Sequence, residues 1–239
     1  MMPKNITAWL SRTSRKLLFR HCSLCQLPLE PNDDYWCQHC LNHFPSSPYC
    51  HRCGTSTFKN VEYCGLCLAE PPPWHRLYRL GEYQPPLQQL ISQYKFGKKF
   101  WLAKPLARQL AKQIAEPAPL LLPVPLHRRR YWQRGFNQSH YLALVLAKEL
   151  GSDVNHHVLK RRRHTPAQKA LTKQQRKTNL ANAFSIQDIA LPEHVAIVDD
   201  VVTTGTTVSL LTQLLLRKGS RKSISLLSAI QKSLCSHHL

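Results

Sequence analysis

Val195-Ala-Ile-Val-Asp-Asp-Val-Val-Thr-Thr-Gly-Thr-Thr207 is the stretch of this 239-residue chain that decides its fold. Val195–Val198 is apolar throughout, the pattern of a strand covered on both faces of a parallel sheet. It delivers two adjacent carboxylates, Asp199 and Asp200, then Val201, Val202 and a loop of Thr203, Thr204, Gly205, Thr206 and Thr207. Apolar spacing predicts a helix around Val208–Lys218, with Gly219 beyond its end. Four threonine hydroxyls, a glycine that lets the backbone approach an anion and the N–H groups of a helix start together make a phosphate cradle. The two acids would repel the phosphate itself. They are placed instead for sugar hydroxyls or for the shell of a Mg²⁺ ion. Paired acids at a strand end also suit a phosphatase metal site or a response-regulator pocket, but the T-T-G-T-T run disfavours both.

Upstream, Leu120–Val124 is a second short apolar run that fits a buried parallel strand. It empties into Pro125, Leu126, His127, Arg128, Arg129 and Arg130, with Arg134 following. Loops at the carboxyl ends of parallel strands are where α/β folds bind ligands, and guanidinium groups there suit bidentate phosphate contacts. A solvated basic loop is the plainer alternative. Asn137 can cap a helix that runs to about Leu150 and stops at Gly151. Before these, Leu77–Tyr83 reads as a strand, Leu87–Phe96 as a helix closed by Gly97, and about Trp101 to Glu116 as another helix.

Eight of the nine cysteines form four C-x-x-C pairs: Cys22/Cys25, Cys37/Cys40, Cys50/Cys53 and Cys64/Cys67. Each pair can present two thiolates to one cation, so four pairs supply two Cys₄ zinc sites. Disulfides are the rival reading; the x₂ spacing and the lack of a secretion signal argue for metal. Sequential pairing, first with second and third with fourth, is expected, giving two structural zinc ribbons; cross-brace pairing, which would interleave them, is the alternative. His21, His39, His43 and His51 lie nearby, but four cysteines per site suffice, and Cys235 stands apart. So little apolar sequence accompanies the cysteines that metal should supply most of the folding energy. Pro71–Pro73 marks the expected boundary.

The charge is uneven: 33 Lys and Arg against 13 Asp and Glu, a formal net of +20. Such an excess favours a polyanionic partner, whether nucleic acid, an acidic membrane surface or phosphorylated small molecules. From His127 to Leu180 thirteen Lys or Arg face two acids, with Arg161–Arg163, Lys169, Lys173, Arg176 and Lys177 among them. No run of 18 apolar residues occurs, so no membrane span is expected. The first twenty residues read as a basic lead-in helix, though their composition also resembles a transit peptide.

The string Val195–Thr207 resembles the phosphoribosyl-pyrophosphate (PRPP) signature of type I phosphoribosyltransferases. The four knuckles, Pro123-Val-Pro-Leu-His127, Arg134-Gly-Phe-Asn-Gln138, Thr165-Pro-Ala-Gln168, Asn179-Leu-Ala-Asn-Ala-Phe184 and that string also occur in one order. Together they resemble the ComF family, associated with competence and the use of external DNA. The resemblance implies a double zinc ribbon over 21–70, a linker over 71–76 and an α/β phosphoribosyltransferase domain of parallel sheet and helices over 77–239, after a lead-in helix over 1–20. It implies PRPP and Mg²⁺ at Asp199–Thr207, a pyrophosphate loop at Pro125, Leu126, His127 and Arg128, and a basic hood carrying Arg134, Lys169, Lys173 and Arg176. The implied partners are single-stranded DNA and a competence helicase or other uptake component, in the bacterial cytoplasm. Two functions follow: phosphoribosyl transfer to an unspecified acceptor, or a non-catalytic DNA-handling adaptor using the pocket as a ligand sensor or keeping it as a remnant. A ligand-responsive regulator is a weaker third, because no helix-turn-helix is evident.

Overall fold

The computed structural model describes residues 20–161 and 183–218 and the backbone of 222–230. The lead-in segment before Arg20, the hood residues Lys169, Lys173 and Arg176, and Cys235 lie outside the described residues. The chain divides into two compact units after Phe44, between the second and third knuckles, and not at Pro71–Pro73.

The same cysteine turn recurs in both units. After Cys22 and Cys25 the chain turns at Gln26 (φ 64°), whose N–H donates to Cys22 O at 2.9 Å. After Cys50 and Cys53 it turns at Gly54 (φ 78°), whose N–H donates to Cys50 O at 2.7 Å. This left-handed residue lets each knuckle fold back so that both of its sulfurs face one point. A one-turn helix carries the last cysteine of each group: α1 (Gln38–Asn42) begins after Cys37 and holds Cys40, and α2 (Gly65–Ala69) begins after Cys64 and holds Cys67. In the first unit, Trp36 and Phe44 pack with ring centroids 5.1 Å apart.

The second unit is built on a five-stranded, all-parallel sheet in the order β1-β7-β6-β2-β3. Its strands are β1 (Arg76–Tyr78), β2 (Leu120–Pro123), β3 (Asp153–Val154), β6 (His194–Val202) and β7 (Lys222–Ile230). A small antiparallel pair, β4 (Leu159–Arg161) with β5 (Phe184–Ile186), stands beside it. Val195–Val198 is fully buried, as its apolar run requires, and β6 continues four residues further, so both aspartates sit on the strand rather than after it. Leu122, Val195 and Ile197 share a core with Val208, Leu211 and Leu215 of α7 (Thr206–Arg217).

Helix α3 (Leu87–Phe96) has the expected span, burying Leu87, Leu90, Ile91 and Tyr94; Gly97 ends it in an ordinary, not left-handed, conformation (φ −84°). The helix expected from Trp101 to Glu116 is shorter: a 3₁₀ turn at Phe100–Leu102 leads into α4 (Ala103–Ala111). Beyond Ala111 the bonds tighten, with Gln113 N–H donating to Leu110 O and Ile114 N–H to Ala111 O, and Ile114 is still buried. The strand expected over Leu77–Tyr83 stops at Tyr78, because the next residues bond elsewhere. The buried Arg79 guanidinium donates to Ser47 O at 3.0 Å and Ser56 Oγ at 3.2 Å, and Glu82 N–H donates to Pro45 O at 2.9 Å.

Helix α5 (Arg128–Arg134) and helix α6 (Gln138–Leu150) follow β2. Asn137 caps α6, its side chain accepting from Ser139 N–H and His140 N–H while its amide donates to Val124 O at 3.1 Å; Gly151 closes the helix at φ 68°. Asn137→Ala removes the cap and leaves the Val124 carbonyl without this donor. It is expected to lower stability by about 1–2 kcal/mol, read as a shift in urea midpoint at unchanged m-value.

Candidate functional site

β2 and β6 are parallel neighbours, with Pro123 opposite Val198. The loops that leave them therefore emerge at the same edge of the sheet, side by side. One carries Pro125, Leu126 and His127, all partly buried; Arg128 opens α5, and its side chain lies outside the described residues. The other carries Thr203, Thr204 and Gly205 into the start of α7, where Gly205 takes φ 68° and Ser209 N–H donates to Gly205 O at 2.8 Å. Thr204 Oγ1 and Thr206 Oγ1 lie 2.9 Å apart. Thr207, Val201 and Val202 follow the same strand–loop–helix path, with Val202 buried beneath it.

The acid pair is held by elements remote in sequence. Asp199 Oδ1 accepts from Ser139 Oγ at 3.0 Å, from the first turn of α6, and from Asp200 N–H at 2.9 Å. Asp200 Oδ1 accepts from Val201 N–H at 2.8 Å and forms a 3.1 Å ion pair with Lys95 Nζ near the end of α3. Burial, reinforced by the Asp200 charge, pushes Asp199 up to about 7; Lys95 and the hydrogen bonds only partly oppose it. Sequence reasoning finds the two acids and misses both Lys95 and Ser139. The only local trace of Lys95 is its place in the basic run Lys95-Phe-Gly-Lys-Lys99.

A cleft of about 310 Å³ opens beside the acids, lined by Lys95, Phe96, Lys98, Arg130, Gln133 and Arg134. Arg134 donates to Gln138 Oε1 at 3.0 Å and lies 5.1 Å from the Phe96 ring centroid. Burial pulls the Arg134 pKa down, while the charges of Asp200 and Asp199 favour the guanidinium. Arg161 of β4 is likewise pulled down by burial and by Arg130, so guanidinium groups from two elements, α5 and β4, converge on one region. Such a site favours an anion with several charges, which supplies what the acids alone cannot neutralise.

The two groups Cys22, Cys25, Cys37, Cys40 and Cys50, Cys53, Cys64, Cys67 each gather their sulfurs within 4.8 Å of one another. The pairing is sequential, as expected. Tetrahedral Zn–S bonds of about 2.3 Å would set sulfurs about 3.8 Å apart. Cys25 and Cys37 lie at 3.7 Å, Cys53 and Cys64 at 3.8 Å, and Cys50 and Cys67 at 4.0 Å. Burial and neighbouring sulfurs push the Cys40 thiol up; the Cys53 sulfur, then burial, does the same to Cys67. Sulfurs that oppose one another's ionisation are reconciled by a shared divalent cation, so both groups could hold zinc.

The larger unit is thus a parallel α/β domain with an acid pair and a Thr/Gly loop at the carboxyl end of a central strand, and the second cysteine group lies within that unit rather than before it. Among the described residues no helix is long and apolar enough to cross a membrane.

No family model matches the chain. It is 39% identical over 208 residues to the DNA utilization protein YhgH of Escherichia coli (strain K12), covering 83% of this chain and 92% of that protein. It is 34% identical over 209 residues to competence protein F of Haemophilus influenzae, covering 83% and 91%. Among solved structures, the adenine phosphoribosyltransferase of Thermoanaerobacter pseudethanolicus aligns over 55% of this chain and 83% of its own, at 20% identity and a TM-score of 0.35.

Proposed function

Because the chain belongs to the family of the DNA utilization protein YhgH and competence protein F, we propose that it is a DNA-utilization protein whose phosphoribosyltransferase domain binds PRPP at Asp199–Thr207. The observation that carries this reading is the acid pair and Thr/Gly loop at the end of β6, flanked by a cleft of converging cations. In this reading the loop Thr203–Thr207 holds the 5′-phosphate through hydroxyls and backbone N–H groups. Asp199 and Asp200 face the ribose hydroxyls. Pro125–Arg128, with Arg134, takes the pyrophosphate, and Lys169, Lys173 and Arg176 close over it as a hood. Asp199 and Asp200 are the carboxylates that would face a Mg²⁺ ion, and Lys95, now paired with Asp200, would have to yield to it. Mg²⁺ would neutralise pyrophosphate charge there. Transfer would form a bond from the acceptor's nucleophilic atom to ribose C1 as the bond from C1 to the pyrophosphate oxygen breaks, the acceptor's proton passing to solvent and the cations stabilising the departing anion.

A bacterial cytoplasmic location goes with this reading, since zinc-binding cysteines stay reduced there, and the partners would be single-stranded DNA and a competence helicase or other uptake component. A second reading retains the pocket as a ligand sensor without turnover, within a DNA-handling adaptor. The Lys95–Asp200 pair favours it, since one of the two acids already has a cation partner without substrate.

PRPP with Mg²⁺ at a hundred times its Kd is expected to stabilise the protein by about 2.7 kcal/mol, a rise in Tm of roughly 5–10 °C. Asp199→Ala/Asp200→Ala should abolish that rise. No rise in the parent protein would sink both readings. Pyrophosphate release on adding candidate acceptors separates them, being expected only of the enzyme.

A further inference from the structure

Residues 83–148 contain one acid, Glu116, against eleven Lys and Arg. On the surface they form, aromatic rings stand in the solvent: Phe96 is 68% exposed, Phe100 54% and Trp101 52%. These rings are not scattered. Trp101 and Phe100 lie 5.5 Å apart by centroid, and Phe100 reaches the partly exposed Tyr141 at 6.3 Å. Tyr141 in turn meets the buried Phe136 at 5.5 Å, which anchors the row to the core beside Tyr94. Lys98 and Lys99 sit between Phe96 and Phe100, and Lys98 also lines the cleft that Arg130 and Arg134 close. Leu102, buried, holds the 3₁₀ turn that turns Phe100 and Trp101 outward.

Exposed rings normally add to solubility problems and are kept few. A row of them interleaved with cations and nearly free of acid has a specific use. Successive bases stack on the rings while the cations track the phosphodiester backbone. Duplex nucleic acid hides its base faces and could use only the cations; a single strand can use both.

We propose that the surface formed by Phe96, Lys98, Lys99, Phe100, Trp101 and Tyr141 is a binding face for single-stranded nucleic acid that leads into the cleft beside Asp200. This rests on the reading of the chain as a DNA-handling protein and names the surface that does the handling. Because Lys95 joins the cleft to Asp200 directly, a strand on this face lies next to the PRPP pocket, and each ligand is positioned to influence the other's binding.

The test is fluorescence anisotropy of the zinc-loaded full chain with a labelled 20-nucleotide oligothymidine and its RNA counterpart, across 50–200 mM salt. Phe100→Ala/Trp101→Ala is expected to weaken binding at least tenfold with the salt slope retained. Lys98→Gln/Lys99→Gln is expected to reduce the slope of log affinity against log salt by about 1. The Phe100→Ala/Trp101→Ala variant should keep the parental Tm and the PRPP-dependent rise in Tm. Trp132, 84% exposed on the side of α5 away from Arg130 and Arg134, is the control, and Trp132→Ala should bind normally. Parental affinity in the Phe100/Trp101 variant, with a parental Tm, overturns the assignment of this face, as does a loss confined to Trp132→Ala. Absence of single-strand binding by the parent protein overturns the DNA-handling reading as well. Equal affinity for duplex shows that the rings are unused, and overturns the stacking argument.

Discussion

Cys50→Ser is expected to abolish cooperative unfolding of residues 45–239, whereas Cys22→Ser should leave that transition almost unchanged. The asymmetry comes from where each cysteine group is packed. Cys50, Cys53 and Cys67 are buried with Val61 in a small core of their own. The turn they build is bonded to the sheet. Leu77 N–H of β1 donates to His51 O at 2.7 Å, Arg52 donates to His75 O and Pro72 O, and Trp74 Nε1 donates to Arg52 O. Trp74 and Leu77 then enter the same core as Leu122, Val195 and Ile197. Arg76 closes the junction with a two-pronged contact to Glu62 at 2.9 and 3.2 Å.

Structural zinc contributes on the order of 10–16 kcal/mol of binding energy, comparable with the whole 5–15 kcal/mol stability of a domain. Losing it from the second group removes the edge on which β1 rests. Losing it from the first group, Cys22 to Cys40, affects the unit that ends at Phe44. Circular dichroism melts of both variants, with zinc content measured on each, check the prediction. Equal collapse of both variants would refute it.

Asp199→Asn is expected to make the protein more stable at pH 8 and to lose PRPP-dependent stabilisation. Asp199 is raised from 3.8 to about 7, chiefly by burial and then by the neighbouring charge of Asp200. A carboxyl group raised on folding binds its proton more tightly in the folded chain than in the unfolded one. Stability therefore falls as pH rises from about 3.8 to about 7, and is flat with respect to this group above that range. The span corresponds to roughly 2–4 kcal/mol once solvent reaching this partly buried site is allowed for. Asparagine carries no charge, yet its oxygen can still accept from Ser139 Oγ and Asp200 N–H. Urea midpoints at pH 8 should favour the variant, and the difference should vanish near pH 4. A variant less stable than the parent at pH 8 would show that the carboxylate is a net stabiliser. A gain in stability with a loss of ligand response is the trade-off expected where a fold stores charge for binding.

Much of the architecture was legible because its causes are local. Four apolar residues of β6, two acids and a Thr/Gly loop identify a buried strand end and an anion cradle by adjacency alone. Asn137 and Gly151 bracket α6 because capping and left-handed closure act over a single turn. The x₂ spacing of the cysteines dictates knuckles, while the sequential pairing, favoured over a cross-brace, is read from the grouped sulfurs. Where local signals competed with bonds to distant residues, the pattern overreached. The strand from Leu77 ended early because Arg79 and Glu82 found partners at Ser47, Ser56 and Pro45.

The sequence by itself determined which chemistry the strand end Val195–Thr207 can offer: two carboxylates, a run of hydroxyls and a helix start. Only the tertiary structure decided the state of those carboxylates. Ser139 meets Asp199 from 60 positions away, and Lys95 reaches Asp200 from another helix altogether. Desolvation and Coulomb attraction act through space and depend on what the fold brings within a few ångströms, which no spacing along the chain records. For the same reason the third and fourth knuckles belong to the sheet rather than to a separate head. Their spacing specifies a metal site, and the bonds from His51 and Arg52 decide what that site supports.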